Sequence, residues 1–137
     1  MTPDIMRKLV QKHIEFETNL DLEGVLGTLV DHPVYEFYPL RLKLEGKDNI
    51  RKFYRDHFDT FFPKIQSHTL INEWWGSETV CMEYDLYLKE PADPNRAYRI
   101  MVVLTAQCPL LKGERFYAEE ELIHIMTGNS FTRLVKL

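Results

Sequence analysis

Hydrophobic residues recur at helical spacing in the first part of this chain and alternate with polar residues in much of the remainder. Thr2, Pro3 and Asp4 combine a capping hydroxyl, a proline suited to the first helical turn and an acid, which together favour a helix start. A helix is predicted from about Pro3 to Glu17, with His13 inside its apolar stripe. The other members of that stripe are Met6, Leu9, Val10, Phe16 and Leu20.

The next segments predict a short helix and then an extended segment. Asp21 is suited to cap a second helix that runs through Val30 and ends before Pro33. From Val34 to Leu44 apolar and polar residues alternate as in a strand, but Pro39 interrupts the run. This segment is therefore either a bent strand or a hairpin.

A third helix is predicted from Asp48 to Phe62, after the break at Gly46 and before the stop at Pro63. One face of this helix is rich in aromatic residues. It carries Ile50, Phe53, Tyr54, His57, Phe58 and Phe61.

The second half of the chain consists of strand-like runs separated by turns. Turn-forming residues predict a loop over Pro91–Asn95, and Leu122–Thr127 either continues the last strand or forms a short closing helix. The predicted strands are His68–Trp74, Thr79–Lys89, Arg99–Pro109 and Glu114 to about Glu121.

Helices followed by an antiparallel meander predict an α+β fold with the helices on one side of the sheet. No repeat or low-complexity segment divides the chain, so we expect one domain over residues 1–137. A strongly twisted sheet that is covered by helices can curl around a pocket. The pattern therefore predicts an enclosed site for a small molecule.

Composition limits the classes of function. The chain is 45% hydrophobic and 28% charged, as in ordinary globular proteins, and its net charge of -4 disfavours contact with a nucleic-acid backbone. No apolar run approaches the roughly 20 residues of a membrane-spanning helix, and the N-terminus lacks a secretory pattern. We expect a cytoplasmic protein that binds neither nucleic acid nor membrane.

Cysteine and histidine spacing gives no indication of a metal site. Cys81 and Cys108 lie in apolar runs without a CxxC pattern and are predicted to be small buried side chains. The histidines are scattered without a paired spacing, and no glycine-rich phosphate loop or GxSxG turn is present. We expect neither a metal nor a cofactor.

Four segments together carry a family resemblance. They are Asn19–Val25 (NLDLEGV), Leu29–Asp31 (LVD), Leu44–Tyr54 (LEGKDNIRKFY) and Lys112–Glu120 (KGERFYAEE). In this order they resemble the NTF2-like superfamily, in particular its SnoaL-like and ketosteroid-isomerase-like branches. The resemblance implies a cone-shaped, cystatin-like α+β fold, in which three N-terminal helices pack on a curved, mostly antiparallel sheet around a pocket. It also implies no metal and a homodimer across the open face of the sheet.

This sequence has other residue types at the positions where the ketosteroid-isomerase pattern has its catalytic residues. His13 occupies the position of the oxyanion-stabilising tyrosine, Tyr38 that of the general-base aspartate, and Thr105 lies near that of the protonated acid. Steroid isomerisation by that mechanism is therefore not expected. In the SnoaL-like pattern the acid of the last strand matters most, and Glu119 or Glu120 is nearest to it.

His13 is the first candidate for chemistry. A histidine with a pKa of ~6.5 can donate or accept a proton near neutral pH, and apolar walls would tune that pKa further. The alternative is a core histidine bound to a backbone carbonyl.

Glu36 and Tyr38 share one face of the strand that is predicted after Val34. If that face looks into the pocket, the carboxylate is a base with a raised pKa and the phenol polarises a carbonyl. The alternative is that Tyr35 and Phe37 point inward as core and Glu36 faces water.

Other charged residues are open to two interpretations. Glu119 belongs to a run of three glutamates that supplies either a functional acid or a solvated face. Glu83 and Asp85 share a strand face, where they either divide acid and base roles or lie on an exposed sheet face or a dimer interface. Arg99 either anchors a ligand carboxylate or lies at the surface.

The residues predicted to line the pocket come from the third helix and the central strand. They are Tyr54, Phe58, Arg99, Met101, Val103 and Thr105.

The leading functional hypothesis is a cofactor-free, SnoaL-like enzyme that acts on a small, largely apolar, cyclic or carbonyl-bearing molecule by general acid–base proton transfer. Isomerisation, dehydration and aldol-type cyclisation share this chemistry. His13 and Tyr38 would supply a proton or a hydrogen bond, with Glu36 or Glu119 as the base. A second hypothesis is a ligand-binding or interaction module without catalysis, and a third is a protein adaptor with an exposed aromatic patch near Trp75.

Overall fold

The computed structural model describes residues 1–90, 93 and 95–137, and it confirms the α+β class. The helices are α1 (Pro3–Thr18), α2 (Leu22–Gly27), α3 (Lys47–Asp56) and α4 (Glu120–Thr127). The strands are β1 (Leu29–Tyr38), β2 (Leu42–Glu45), β3 (Ile65–Trp75), β4 (Thr79–Leu88), β5 (Ala97–Gln107), β6 (Leu110–Ala118) and β7 (Val135–Lys136). A π-helical turn, His57–Phe61, directly extends α3.

Within the described residues, the strands form one curved sheet in the order β3-β4-β5-β6-β1-β2-β7. β1 and β6 are parallel, and the other neighbouring pairs are antiparallel. Register shifts occur in the β1–β6, β3–β4 and β5–β6 pairs. Such bulges increase the local twist and bend a sheet, which gives this one an inner and an outer face.

Short local signals define the first two helices. Thr2 Oγ1 accepts a hydrogen bond from the amide of Ile5, and Asp21 Oδ1 accepts one from the amide of Gly24. The second helix ends at Gly27 rather than at Val30, because Leu29 already begins β1 and pairs with Leu111 of β6. The segment after it is a hairpin of β1 and β2, so the bent-strand alternative is wrong.

A glycine allows β1 and β6 to lie side by side. Gly113 pairs with Val34, and a Cβ atom at Gly113 would overlap the carbonyl oxygen of Val34. Only a residue without a side chain fits this close approach. The parallel pairing that results carries Glu114, the next residue, to the inner face.

The end of the last strand differs from the prediction. β6 stops at Ala118 and Glu119 precedes α4, so the short-helix alternative is correct and the predicted strand to Glu121 is too long.

Cys81 is half-buried, whereas Cys108 is exposed because it follows the end of β5 in a turn. The predicted loop Pro91–Asn95 lies largely outside the described residues.

The core lies between the helices and the inner face of the sheet. Tyr35 and Phe37 of β1 are fully buried and pack edge-on against Phe53 of α3. Met6 and Val10 of α1 are buried in the same cluster. Among the described residues, no helix is long and apolar enough to cross a bilayer.

Candidate active site

A cavity of about 180 Å³ lies between α1, the π-helical turn and the inner face of β4, β5 and β6. Its wall is mostly apolar. The polar members of the wall are Glu17, His57, His68, Tyr84 and Glu114, and the apolar members are Ile14, Phe61, Phe62, Ile65, Met82, Leu86, Ile100, Val102, Leu104, Phe116 and Met126. A largely apolar cavity with a few polar groups is typical of a small-molecule site.

His13 is fully buried on α1, and its hydrogen bonds define its protonation. Its Nδ1 lies 2.7 Å from Thr28 Oγ1, and that hydroxyl donates its own proton to the carbonyl oxygen of Val25 at 2.5 Å. A hydroxyl has one proton, so Thr28 accepts from His13 and Nδ1 carries a hydrogen. The nitrogen that faces the acids is therefore Nε2.

Two carboxyl groups approach His13 Nε2 from different elements. Glu17, one helical turn further along α1, has Oε1 at 2.7 Å, and Glu114 of β6 has Oε2 at 3.8 Å. Glu114 is 6% exposed, while the side chain of Glu17 remains 20% exposed. Both carboxyl groups line the cavity, and His13 lies behind them. We call His13, Glu17 and Glu114 the inner triad.

Two tyrosines supply further hydrogen bonds to the inner triad. Tyr54 donates its hydroxyl proton to Glu114 Oε2 at 3.0 Å. The hydroxyl of Tyr35 lies 2.7 Å from that of Tyr54 and is its donor, because the Tyr54 proton is already engaged. This series of hydrogen bonds ends at Glu114, and it stabilises negative charge on the Glu114 carboxylate.

Burial and charge change the pKa values of the inner triad in different directions. Burial alone would lower the pKa of His13, but the two neighbouring glutamates raise it to about 10. Burial raises the pKa of Glu17 despite the attraction of His13. Burial also opposes ionisation of Glu114, yet His13 and the two tyrosines hold its pKa below the usual value. Glu17 is thus the acid that most readily holds a proton.

The inner triad also contains the described side chains that could hold a metal ion. The donor atoms of His13, Glu17 and Glu114 lie within 4.8 Å of one another. The 2.7 Å contact between His13 and Glu17 is the distance of a charge-assisted hydrogen bond. We therefore interpret the cluster as a set of groups that share protons.

The sequence singles out His13 as a candidate but not the two acids that the structure places beside it. The spacing of four residues between His13 and Glu17 is visible in the sequence and puts both on one helix face. The sequence predicts only that Glu114 begins a strand, because the pairing of β6 with β1 decides which face of β6 points inward. Burial of His13 agrees with its predicted position in the interior.

Glu36 and Tyr38 lie on the outer face of the sheet, away from the cavity. The Tyr38 hydroxyl donates to Glu36 Oε1 at 3.2 Å. The alternative for β1 is confirmed, because Tyr35 and Phe37 point inward and strict alternation sends their neighbours outward. The predicted pocket position of Glu36 and Tyr38 is therefore corrected.

The residues of the central strand that were predicted to line the pocket lie on the opposite face of the sheet. Ile100, Val102 and Leu104 of β5 line the cavity. Alternation puts the predicted residues on the outer face; these are Arg99, Met101, Val103 and Thr105. Arg99 binds Asp85 Oδ1 at 2.6 Å and Glu83 Oε2 at 2.7 Å, which agrees with its surface alternative.

Glu119 lies at the start of α4 and not on a strand. Its side chain is 52% exposed and forms an ion pair with Arg96 at 2.6 Å. Arg96 also binds Glu121 at 2.9 Å. The run of glutamates is thus a solvated helix start, and the predicted pocket position of Glu119 is corrected.

The aromatic residues predicted from the third helix lie next to the cavity rather than in its described wall. Tyr54 is buried behind Glu114, and Phe58 packs between Tyr54 and Phe62. Trp74 is 49% exposed at the end of β3, whereas Arg7 covers the ring of Trp75 at 4.6 Å.

Comparison with known proteins confirms the NTF2-like fold. No protein-family profile matches the sequence, and no curated protein is a recognisable sequence relative. An NTF2-like protein of unknown function from Cytophaga hutchinsonii ATCC 33406 is 11% identical, with a TM-score of 0.64 over 85% of this chain and 92% of that chain. A candidate ketosteroid isomerase from Kribbella flavida DSM 17836 is 15% identical, with a TM-score of 0.68 over 88% and 82%.

A designed protein has the same architecture. A de novo protein with a curved β-sheet is 14% identical to this chain, with a TM-score of 0.72 over 97% of this chain and 99% of that chain. At these identities the likenesses show the fold, and a fold alone does not determine an activity. The function must be argued from the inner triad and the cavity.

Proposed function

We propose that this protein is an enzyme that transfers protons within a small, largely apolar, carbonyl-bearing ring compound bound in the cavity. One observation carries the proposal: Glu17 and Glu114 face an otherwise mostly apolar cavity while sharing a buried imidazole. Ionisable groups with perturbed pKa values in a cavity are typical of catalytic sites. The fold that the chain shares with a candidate ketosteroid isomerase supports the reaction class by analogy only.

Glu17 is suited to act as the acid and Glu114 as the base. The pKa of Glu17 is raised by burial, and that of Glu114 is held low by His13 and the tyrosines despite burial. Two carboxyl groups whose environments separate their pKa values divide the acid and base roles. His13 would stabilise the carboxylate that Glu17 becomes after it donates its proton.

The proton transfers balance in a simple scheme. Glu17 donates a proton to the carbonyl oxygen while Glu114 removes a proton from the adjacent carbon, and an enol forms. The enol returns to a carbonyl compound when Glu17 recovers its proton and Glu114 delivers one to carbon. With a β,γ-unsaturated ketone the enol is a dienol, and delivery of the proton to its γ carbon gives the conjugated isomer. Dehydration and aldol-type cyclisation begin with the same proton removal.

The size of the cavity limits the substrate. A cavity of about 150 Å³ accommodates benzene, and this one measures about 180 Å³. The substrate is therefore expected to be a single substituted ring or a compact bicycle.

Exchange of deuterium at carbon tests the proposal directly. Cyclic β,γ-unsaturated ketones are incubated with the protein in D₂O, and proton NMR follows both deuterium uptake and migration of the double bond. Glu17→Gln and Glu114→Gln are each expected to lower the rate by roughly 10²–10⁴-fold. Glu120→Gln, which alters an exposed i,i+4 contact with His124, is the matched control and should retain the rate.

The proposal would be refuted if the wild type accelerates neither deuterium uptake nor double-bond migration over buffer, or if Glu17→Gln and Glu114→Gln leave both rates unchanged. Circular dichroism of each variant would show whether a lost rate reflects lost folding.

A non-catalytic ligand-binding protein is the second candidate. The mostly apolar wall of the cavity favours it, because such a wall binds a ring compound without any chemistry. Saturable binding of the ketones in the absence of deuterium exchange would support this candidate over the enzyme.

We also propose that the protein forms a homodimer through the outer face of the sheet. Tyr117 is 40% exposed there and stacks on Tyr38 at 4.8 Å, beside the half-buried Met101. Aromatic residues and methionine are enriched in interfaces. Light scattering should give twice the chain mass for the wild type and the chain mass for Tyr117→Glu.

A further inference from the structure

His57 is a buried histidine of the cavity wall that the proposed proton transfer does not use. It is 6% exposed and belongs to the π-helical turn that extends α3. Its ring packs against Phe53, Phe61 and Phe62 with centroid distances of 4.8–4.9 Å. Such π-helical turns occur frequently at functional sites.

The hydrogen bond of His57 determines which of its nitrogens is available. Nδ1 lies 3.2 Å from the carbonyl oxygen of Met126, and a carbonyl oxygen only accepts hydrogen bonds, so Nδ1 carries the proton. Burial lowers the pKa of His57 to about 4. The ring is therefore neutral near pH 7, and Nε2 presents a lone pair.

No protein group in the described part of the chain donates a hydrogen bond to this lone pair; the contact to Met126 is the polar contact of the ring. Nε2 is not among the fully enclosed side-chain atoms that lack a partner, which in the described chain are Trp75 Nε1 and Arg115 Nε, so it keeps some accessible surface although the residue as a whole is buried. Because His57 lines the cavity, a molecule bound there is positioned to supply the missing donor.

We infer that His57 Nε2 accepts a hydrogen bond from a hydroxyl or N–H group of the bound molecule, which makes the ligand class a ring carbonyl compound with a second, donating substituent. The inference depends on the proposed function only for the requirement that the ligand carries a carbonyl group. It adds a specificity-determining residue to the same cavity.

The two polar ends of the cavity then orient the ligand. A carbonyl oxygen is repelled by the Nε2 lone pair of His57 but is accepted by a protonated Glu17. A hydroxyl or N–H group bonds to His57 with its hydrogen. A ligand that carries both groups consequently binds in one direction, with its carbonyl group beside the inner triad.

A pair of ring ketones that differ by one hydroxyl tests the inference. Acetophenone and 4-hydroxyacetophenone are titrated into the full-length protein by calorimetry, with 3-hydroxyacetophenone as a second hydroxyl position. Wild-type protein is expected to bind one of the hydroxyketones about tenfold more tightly than acetophenone. His57→Phe preserves the aromatic packing, and it should abolish this preference while the affinity for acetophenone stays within about threefold.

His124→Phe is the matched control. His124 lies on α4, is exposed and is not among the residues that line the cavity, and its ring packs against Phe131 at a centroid distance of 4.1 Å. Its replacement should leave the preference for the hydroxyketone intact. The wild-type protein also gives a readout that needs no variant, because the ¹⁵N resonance of His57 Nε2 should shift on binding the preferred hydroxyketone and not on binding acetophenone.

Three results would overturn the inference: no hydroxyketone preference in the wild type, a preference that survives His57→Phe, or an Nε2 resonance that does not respond. Absence of binding by all three ketones would overturn it as well. Failure of the proposed function is a different result, because the hydroxyketone preference would then appear without any deuterium exchange.

Discussion

The two faces of the sheet carry ionic clusters of similar composition but different behaviour. On the inner face, the imidazole of His13 lies between two glutamates. On the outer face, the guanidinium of Arg99 binds Glu83 and Asp85 at 2.7 and 2.6 Å. The hydrogen bond from Arg99 lowers the pKa of Asp85, so the outer acid simply remains ionised.

Burial explains the difference between these clusters. Arg99 is 52% exposed, and water stabilises whatever charge its partners leave uncompensated. His13 is fully buried and Glu114 nearly so, and two carboxylates around a single imidazolium leave an excess negative charge at a site that is poorly hydrated. A proton on Glu17 removes that excess, which is why its pKa rises. The comparison indicates that burial, rather than residue type, changes the pKa values of the inner cluster.

The largest expected change in the free energy of unfolding follows from removal of the His13 imidazolium. His13→Gln leaves two carboxyl groups without their charged partner and should lower the free energy of unfolding by about 3–5 kcal/mol. Arg99→Gln is expected to leave it nearly unchanged, because Arg99 itself is half exposed and water can take its place beside Glu83 and Asp85. Urea denaturation of both variants measures the difference, and equal losses would remove the distinction between the two faces.

Alkaline pH should weaken the inner cluster alone. The pKa of His13 is about 10 in the folded protein against 6.5 for the free side chain, so its stabilisation is complete below pH 6.5 and is lost as pH rises toward 10. The raised pKa of Glu17 has the same sign, and its contribution begins to be lost at lower pH, above the ordinary pKa of a glutamate. The wild type should lose on the order of a few kcal/mol over this interval.

Urea midpoints at pH 6.5, 8 and 9.5 measure this loss. Arg99→Gln should show the wild-type profile, whereas His13→Gln should show a flatter one. A wild-type profile that does not fall between pH 6.5 and 9.5 would contradict the ion pair.

Loss of one hydrogen bond to the inner triad should have a moderate effect. Tyr54→Phe removes the donor to Glu114 Oε2 and is expected to cost about 1.5–3 kcal/mol of unfolding free energy. It should also raise the pKa of Glu114 and move the acidic limb of the deuterium-exchange profile to higher pH. Tyr84→Phe, which removes a hydroxyl whose partner among the described residues is the sulfur of Met82, is the control for the loss of unfolding free energy.

The smallest effect is expected on the outer face. Glu36→Gln should leave deuterium exchange unchanged, because Glu36 bonds to Tyr38 on the side of the sheet opposite the cavity. The measurement is the same NMR assay. A rate that falls as far as in Glu17→Gln would mean that the outer face takes part in the reaction.

Local patterns predicted the elements well and the facing of the strands poorly. The cap at Thr2, the apolar stripe around His13 and the alternation in β4 all depend on neighbours within a few residues, and each appears in the structure. Alternation is equally visible in β1 and β5. In these two strands, however, the residues of both faces include many apolar side chains, so the pattern does not show which face points inward. The predicted inward set was therefore wrong at Glu36, Tyr38 and Met101.

The amino-acid sequence by itself determined the α+β class, most of the elements and the burial of His13, because helix caps, apolar stripes and turns act over short distances. Only the tertiary structure decided which carboxyl groups meet that histidine. Glu114 is 101 positions from His13, and its inward direction depends on the close contact of Gly113 with Val34. The pKa values of the site then follow from burial, which only the assembled fold creates.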